Sequence, residues 1–437
     1  MRLPRLVLAA CLVLTLPVAA RAGLYYSGEK TAELPSQWRG FLLDHKALRS
    51  IAVKPAPGHP ASPLRERYLD AAAKLEKIAK ERKLTADELA DLGAIYVRLG
   101  EATKAVNLLR EAQRQYPNHF AIAANLGTAW QMAGNLEQAS FALSDAVKLV
   151  PGKFQRAEEY HLKLVKLRLQ KKGLAELEEL FGARWVDESG EYVPGKMAAA
   201  EWKKLPADVV PLAQQLALWL PSDGPLLWQL AELANVHGDP RSAAAMMEGC
   251  ITTFGMQSKE LTRKRQLTKA AAEDLAKKIA ASGQNEHGEH LGTLQARSKR
   301  PLLTAFDASS LPPVSDKAVN AMPWALLAET AVDKKFRPTF AEYLKELSGK
   351  QVSLQGFMQP LGEDLDVAVF MFVEYPIGCW YCEMPETTQI VFVELPAGKT
   401  ARYTRTQVRV TGRLTLNATD PEDFLYTIRD AKVAEVD

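Results

Sequence analysis

One pattern is written twice between Ala86 and Lys153, and it constrains this chain more than any other feature. Leu92-Gly93, Tyr96, Gly100, Ala105, Leu109, Ala112 and Pro117 reappear 34 residues later as Leu126-Gly127, Trp130, Gly134, Ala139, Leu143, Ala146 and Pro151. Each copy reads as a helical hairpin. Glycine after leucine on the first helix lets the partner helix come close, Gly100 or Gly134 turns the chain, and alanines on the second helix fit the crossing point. Proline ends the unit because it cannot continue a helix.

With its period and spacing, the pair resembles the tetratricopeptide repeat (TPR), lacking only the usual first-helix tryptophan. The resemblance implies an α-solenoid whose concave surface, lined by first helices, holds peptides or helices of partner proteins. A further copy follows a lapse of about two repeats: Leu230, Ala231, Ala234, Gly238, Ala243, Met247, Cys250 and Gly255 occupy the same eight positions. Pro221 precedes Leu230 by nine residues, as Pro117 precedes Leu126. The clear repeats are 86–119, 120–153 and 224–257. Cys250 takes a small buried position and is expected to be an inert packed thiol.

Between these copies the pattern fades. Tyr160-His161 and Leu164 start a degenerate helix, with His161 on the glycine position and expected to pack without a ligand role. Trp185 to Tyr192 suggests a loop or short hairpin. Helices are expected to resume at Ala198–Lys203 and Ala207–Leu218. His237, beside the turn glycine, is expected to be exposed. Met256 to Ile279 continues helically, with Arg263-Lys264-Arg265 on a solvated face.

Residues 1–22 read as a signal peptide. Arg2 and Arg5 precede an apolar run from Leu6 to Ala20, and Ala20-Arg21-Ala22 supplies small-x-small before Gly23. A lipoprotein box at Leu8-Ala9-Ala10-Cys11 is less well formed, since only Leu6 to Ala10 precede the cysteine. No later stretch is long enough to span a membrane. The expected location is periplasmic or secreted, where disulfides are permitted.

Residues 23–64 form a polar, proline-dotted extension. Leu24-Tyr25-Tyr26 and Trp38 to Leu43 are its apolar anchors, and a short helix is expected over Trp38–Leu48. Arg65 to Glu81 is strongly helical and caps the repeats, so the solenoid spans 65–280. Residues 281–320 have linker composition. His287 and His290 there are flanked by glycines that argue against a helical metal pair. Two short helices are expected at Trp324–Ala331 and Pro338–Leu347, opening a segment that runs over 321–437.

At Ser348-Gly349-Lys350 the periodicity changes to alternation rich in β-branched and aromatic residues. Five strands are expected, at Gln351–Met358, Val367–Glu374, Gln389–Leu395, Gln407–Leu416 and Phe424–Val436. Val352 to Gly356 and Val408 to Gly412 share a phrase that ends in glycine at a bend, the device that coils a strand into a small barrel. The expected fold class is therefore multidomain α + β, a solenoid followed by a small OB-like barrel. A small sandwich is the alternative for the second part.

Cys379-Trp380-Tyr381-Cys382, with Pro385 and Gln389 after it, forms a loop between the second and third strands. A redox dithiol wants a helix after Cys-x-x-Cys to stabilise the thiolate, and here Pro385 and a strand follow. A zinc half-site needs two further ligands, and this segment has no histidine and no third cysteine. A structural disulfide between Cys379 and Cys382 is the expected state, with no metal and no cofactor. Tyr403, Arg405, Arg409 and Arg413 could form a single-strand platform. Alternate arginines on a strand are ordinarily its solvent face, and a formal net charge of +3 gives no general affinity for nucleic acid.

The last ninety residues also resemble a functionally uncharacterised bacterial envelope family with the pattern Gly-Lys-x-Val-x-Leu-x-Gly, then Gly-x-Cys-x-His-x-Pro-Pro and Asn-Gln before a valine-rich strand. Gly349-Lys350, Val352, Leu354 and Gly356 match the opening, and Cys379, Pro385, Gln389 and Val391 match the loop. Tyr381 stands in place of the histidine and Thr388 in place of the asparagine, while Cys382 is additional. The resemblance implies an envelope context and no particular activity.

Together these readings point to a non-enzymatic exported scaffold. Arg98, Asn125, Thr128, Gln131, Glu232 and Asn235 are the groove candidates for an envelope protein or peptide, and the β domain is a second binding module. The rival reading is a thiol–disulfide oxidoreductase that uses Cys379 and Cys382, with the repeats selecting substrates.

Overall fold

The computed structural model describes residues 24–29, 41–55, 62–170, 180–281, 308–333, 337–362, 364–375, 387–420 and 422–436. The leader, most of the 281–320 linker and the Cys379–Cys382 loop lie outside the described residues.

The helical part comprises α1 (Phe41–Ala52), α2 (Pro63–Glu81), α3 (Ala86–Arg98), α4 (Ala102–Gln115), α5 (Phe120–Met132), α6 (Leu136–Leu149) and α7 (Gly152–Gln170). It continues through α8 (Ala199–Trp202), α9 (Val209–Trp219), α10 (Gly224–Val236), α11 (Pro240–Thr252) and α12 (Lys259–Ala281). Consecutive helices from α2 to α7 pack on one another, and α3 also meets α5, so the hairpins stack. A Cβ on Gly93 would overlap the Leu109 side chain, and one on Gly127 that of Leu143, which is why the first-helix glycine recurs.

The turns are equivalent at the level of single hydrogen bonds. Glu101, Asn135 and Asp239 each donate their backbone N–H back to the carbonyls of Tyr96, Trp130 and Ala234, at 2.8–2.9 Å. This six-residue closure needs a left-handed residue, supplied by Gly100, Gly134 and Gly238 at φ of 80°, 81° and 87°. The starts are fixed as well. Thr85 and Glu88 form a reciprocal capping box on α3, and Asp223 and Asp239 cap α10 and α11 through their side chains.

The degenerate stretch departs from hairpin geometry. Trp185 to Tyr192 forms no strands and is a loop, one of the two expected forms. It is an ordered turn, closed by Asp187 N–H to the Glu191 carbonyl at 2.8 Å, that drives Trp185 and Tyr192 into the core. Helix α1 starts at Phe41 and touches both α3 and α9, bridging two parts of the array that are distant in sequence.

The C-terminal part is a closed five-stranded barrel of β1 (Gln351–Pro360), β2 (Val369–Val373), β3 (Ile390–Glu394), β4 (Val408–Leu416) and β5 (Tyr426–Glu435). The order around it is β1-β2-β3-β5-β4 and back to β1, antiparallel except for the parallel β3–β5 pair. Closure hinges on β1. Residues Gln351–Gly356 pair with β4 and Phe357–Pro360 pair with β2, so the strand changes neighbour at Gly356. A Cβ there would lie 2.5 Å from the Val373 carbonyl. Gly412 lies opposite a bulge between Arg429 and Lys432 of β5, where a Cβ would lie 2.7 Å from the Arg429 carbonyl.

Two details differ from the sequence expectation. The expected second strand is split: Asp366–Val367 leaves the barrel to pair with Ala401–Arg402. The two short helices shrink to Trp324–Leu327 and Glu342–Leu347, with a small strand pair, Ala331–Val332 and Pro338–Thr339, between them. The first plugs one end of the barrel, where Trp324 Nε1 donates to the Gln355 carbonyl at 2.6 Å and the Tyr426 hydroxyl donates to the Leu327 carbonyl at 3.1 Å.

Candidate functional site

Among the described residues, the densest polar chemistry lies on the inner face of the helical array, around residues 24–29. This short segment runs through Tyr25 and then folds into a turn, closed by Glu29 N–H to the Tyr26 carbonyl at 3.0 Å, and is held by main chain and side chain alike. Tyr25 N–H donates to Asn125 Oδ1 at 2.7 Å, and Asn125 Nδ2 donates to the Tyr25 carbonyl at 3.1 Å, so a single carboxamide grips both polar groups of one residue. The same Nδ2 also reaches the Ala90 carbonyl at 2.9 Å, which fixes the amide orientation.

The side chains of the segment are read as well. The Tyr25 ring meets Phe120 edge-on at 4.4 Å, and its hydroxyl donates to Glu158 Oε1 at 3.0 Å. Ser27 donates its N–H to Asp91 Oδ1 at 2.7 Å and its hydroxyl to the other carboxylate oxygen. Glu29 receives a two-pronged pair from Arg98, Nε to Oε1 at 2.8 Å and Nη2 to Oε2 at 2.9 Å. The Tyr68 hydroxyl donates to the same carboxylate at 2.6 Å, and Arg98 Nη1 donates to the Leu218 carbonyl at 2.8 Å. Arg98 and Glu29 are both buried, so this fork-on-fork pair is made out of water.

Electrostatics sharpen the picture. Burial raises the Glu158 carboxyl to about 8, a rise only partly opposed by its Tyr25 bond, so it is protonated at neutral pH. Its Oε2 has no partner among the described residues. Burial, reinforced by Arg168, lowers His161 to about 3 and holds it neutral, with Nε2 2.7 Å from Gln131 Oε1. The carboxamide oxygen can only accept, so Nε2 carries the proton.

A second buried cluster forms further along the array. The Tyr192 hydroxyl contacts Glu232 Oε2 and Thr268 Oγ1 at 3.0 Å each and receives Asn235 Nδ2 at 3.1 Å. Trp228 Nε1 donates to Glu232 Oε1 at 3.1 Å, and Lys264 Nζ approaches Glu232 at 3.6 Å. Burial, then the nearby Glu232 charge, pushes the Tyr192 hydroxyl well up.

The groove candidates must therefore be corrected. Arg98, Asn125, Thr128, Glu232 and Asn235 are buried among the chain's own residues. Thr128 turns back on its own helix, donating to the Ala124 carbonyl at 3.1 Å. Gln131 and, at its edge, Arg98 line a pocket of about 270 Å³ together with Leu24, Met132, Arg168, Trp219 and Asp223. Arg168 and Asp223 form a two-pronged pair there, at 2.6 and 2.9 Å. His237 is half-buried against Trp202, contrary to the exposed position expected, and Lys264 is buried although its neighbours Arg263 and Arg265 are not.

Sequence reasoning marked Leu24-Tyr25-Tyr26 as an anchor but missed Glu29, Glu158 and Tyr68. The available signal was a carboxylate at 29 and an arginine ending the apolar second half of α3 at 98, two charges that need each other once buried. Cys250 is a free, buried thiol near the Gly224 carbonyl, as the repeat register required. Cys379, Trp380, Tyr381, Cys382 and Pro385 lie outside the described residues, while Gln389 closes a half-buried 3₁₀ turn (Thr387–Gln389) before β3. Arg409 and Arg413 alternate outward from β4 while Val408, Val410, Gly412 and Leu414 point in.

Among the described residues, no group of three or more His, Cys, Asp or Glu is placed to hold a metal ion. No helix there is long and apolar enough to cross a membrane.

The fold defines a two-part protein, a stacked helical array carrying a closed β-barrel. Residues 314–435, which hold the whole barrel and its helical plug, are similar to a family described as a protein of unknown function (DUF3299). No curated protein matches the chain.

Proposed function

We propose that this protein is an exported, non-enzymatic scaffold of the bacterial cell envelope. In this reading α3 to α6 and α10 to α11 are TPR hairpins that hold an envelope protein. The barrel, whose strand order is that of an OB-like fold, serves as a second binding module. The observation that carries the proposal is the double grip of Asn125 on the backbone of Tyr25. A side chain that satisfies both the N–H and the C=O of a passing residue provides sequence-tolerant recognition of peptide main chain.

Site-specific photo-crosslinking tests the reading. A photoreactive amino acid at Met132, which is 40% exposed on the rim of the open pocket, is expected to trap one protein in envelope fractions. The same group at Phe141, exposed on the second helix of its hairpin, should trap nothing specific. Identical, non-specific patterns at the two positions would sink the scaffold assignment.

A further inference from the structure

We propose that residues 24–29 are a built-in competitor, a ligand-like segment that occupies in cis the site of a partner peptide with the same turned shape. The peptide so recognised carries a tyrosine followed four residues later by a carboxylate. This deepens the scaffold reading and rests on it for the existence of a partner.

The contacts separate into a grip that any peptide could satisfy and two readouts that few could. The grip is Asn125 on the main chain of residue 25, supported by Asp91 accepting the N–H of residue 27. The first readout is an aromatic slot walled by Phe120 and Phe154, with Glu158 at its end. Because Glu158 is protonated at neutral pH, the slot floor is uncharged and favours a neutral phenol over an acidic or phosphorylated side chain. The second readout is the Arg98 fork, aimed with the Tyr68 hydroxyl at a carboxylate. The turn from Tyr26 to Glu29 sets the spacing between the two.

A core segment of purely structural purpose needs no such polar addressing, since apolar side chains fill a gap at lower desolvation cost. Here instead six residues carry a main-chain clamp, a phenol site and a carboxylate site in series. Beyond Leu24 the groove continues into the open pocket lined by Gln131, Met132, Trp219 and Asp223. A peptide lying along the same path can extend into it past the position of Leu24, which lines its edge.

The test uses the chain from residue 23 onward with a protease site inserted between Thr31 and Ala32, cut after folding. The probe is a fluorescein-labelled peptide of residues 23–30. Uncut protein is expected to leave the probe free. Cut protein, freed of its own segment, should bind it, with at least tenfold weaker binding for a Glu29→Gln or Tyr25→Ala probe. Folded cut protein that ignores the probe, or binds a scrambled version equally, overturns the proposal.

Should removal of the segment unfold the array, the uncut Tyr25→Ala chain serves instead. Its loosened segment should be displaced by the wild-type probe, read as lost hydrogen-exchange protection at the amides of residues 25 and 27, and no displacement overturns the proposal. A dimer formed by exchange of this segment would also overturn it, in favour of self-association. If the Met132 crosslink forms but excess probe leaves it unchanged, the competitor idea fails and the scaffold reading stands. If the probe binds and no crosslink forms, the scaffold reading fails, and the competitor role, left with no partner to exclude, falls with it.

Discussion

The two halves of the molecule bury opposite chemistries. The barrel interior is apolar: Val352, Leu354, Phe370, Phe372, Val391, Val393, Val410, Leu414 and Ile428 are all within 3% of complete burial, and polar groups sit at its ends. The helical array has its own large apolar core, yet it also buries Arg98 on Glu29, a protonated Glu158, a neutral His161 and Lys264 on Glu232. Apolar packing alone would serve a structural interior. Polar groups withdrawn from water cost free energy and return it only in a defined geometry, so the array invests in specificity where the barrel invests in cohesion.

Glu29→Ala breaks the contrast most severely. It leaves a buried guanidinium without its carboxylate and should cost about 3–5 kcal/mol in urea unfolding of the array, with the barrel unmoved. The paired change Glu29→Leu with Arg98→Met should recover much of that loss. Leu414→Ala does the comparable damage in the barrel, about 2–5 kcal/mol from lost transfer and cavity, with no pH dependence. Gly412→Ala should cost about 1–3 kcal/mol, because the new methyl would meet Ile428 and the Arg429 carbonyl at 2.6 and 2.7 Å.

Titration sharpens the comparison further. Glu158 is raised from 4.5 to about 8 in the fold, so its contribution is complete below pH 4.5 and is lost as pH rises toward 8. The slope for one proton is about 1.4 kcal/mol per pH unit at most. His45, buried on α1, and His161, both lowered to about 3 by burial, act in the other direction, contributing fully above 6.5 and losing it as pH falls toward 3. From these groups the array should be most stable near pH 6.5. Glu158→Gln should abolish the fall between pH 6.5 and 8, measured by chemical denaturation across that range. An unchanged slope would show that Glu158 is already ionised in the fold. The smallest effect is expected for Thr85→Ala, about 1 kcal/mol from the lost α3 cap, read as a shift in the array's midpoint alone.

What was legible in the sequence follows from the range of the interactions. Hairpin boundaries are set by residues a few positions apart, such as Gly100 with Glu101 and Tyr96 or Thr85 with Glu88, and these were readable. Strands β1, β3, β4 and β5 were placed to within about two residues because alternation is local. The inner face was not readable in the same way. Asn125 and Arg98 were correctly placed on first helices, but their occupants, Tyr25 and Glu29, come from 100 and 69 residues away. Periodicity says which way a side chain points and nothing about which distant segment arrives to cover it. The split second strand was missed for a similar reason, since Asp366–Val367 leaves the barrel to pair with Ala401–Arg402.

The position of the segment 24–29 also sets an order of events. Tyr25 meets Glu158 across 133 residues, whereas each hairpin closes on neighbours about a dozen residues away. Short loops close first because they lose less entropy, so the helices must already be stacked before Tyr25 has a slot to enter. The earliest residues of the array to leave the ribosome are thus among its last to find their place. Refolding should show a late step in which an almost finished array latches shut, slowed or erased when Tyr25 is replaced, while the hairpins assemble at an unchanged rate.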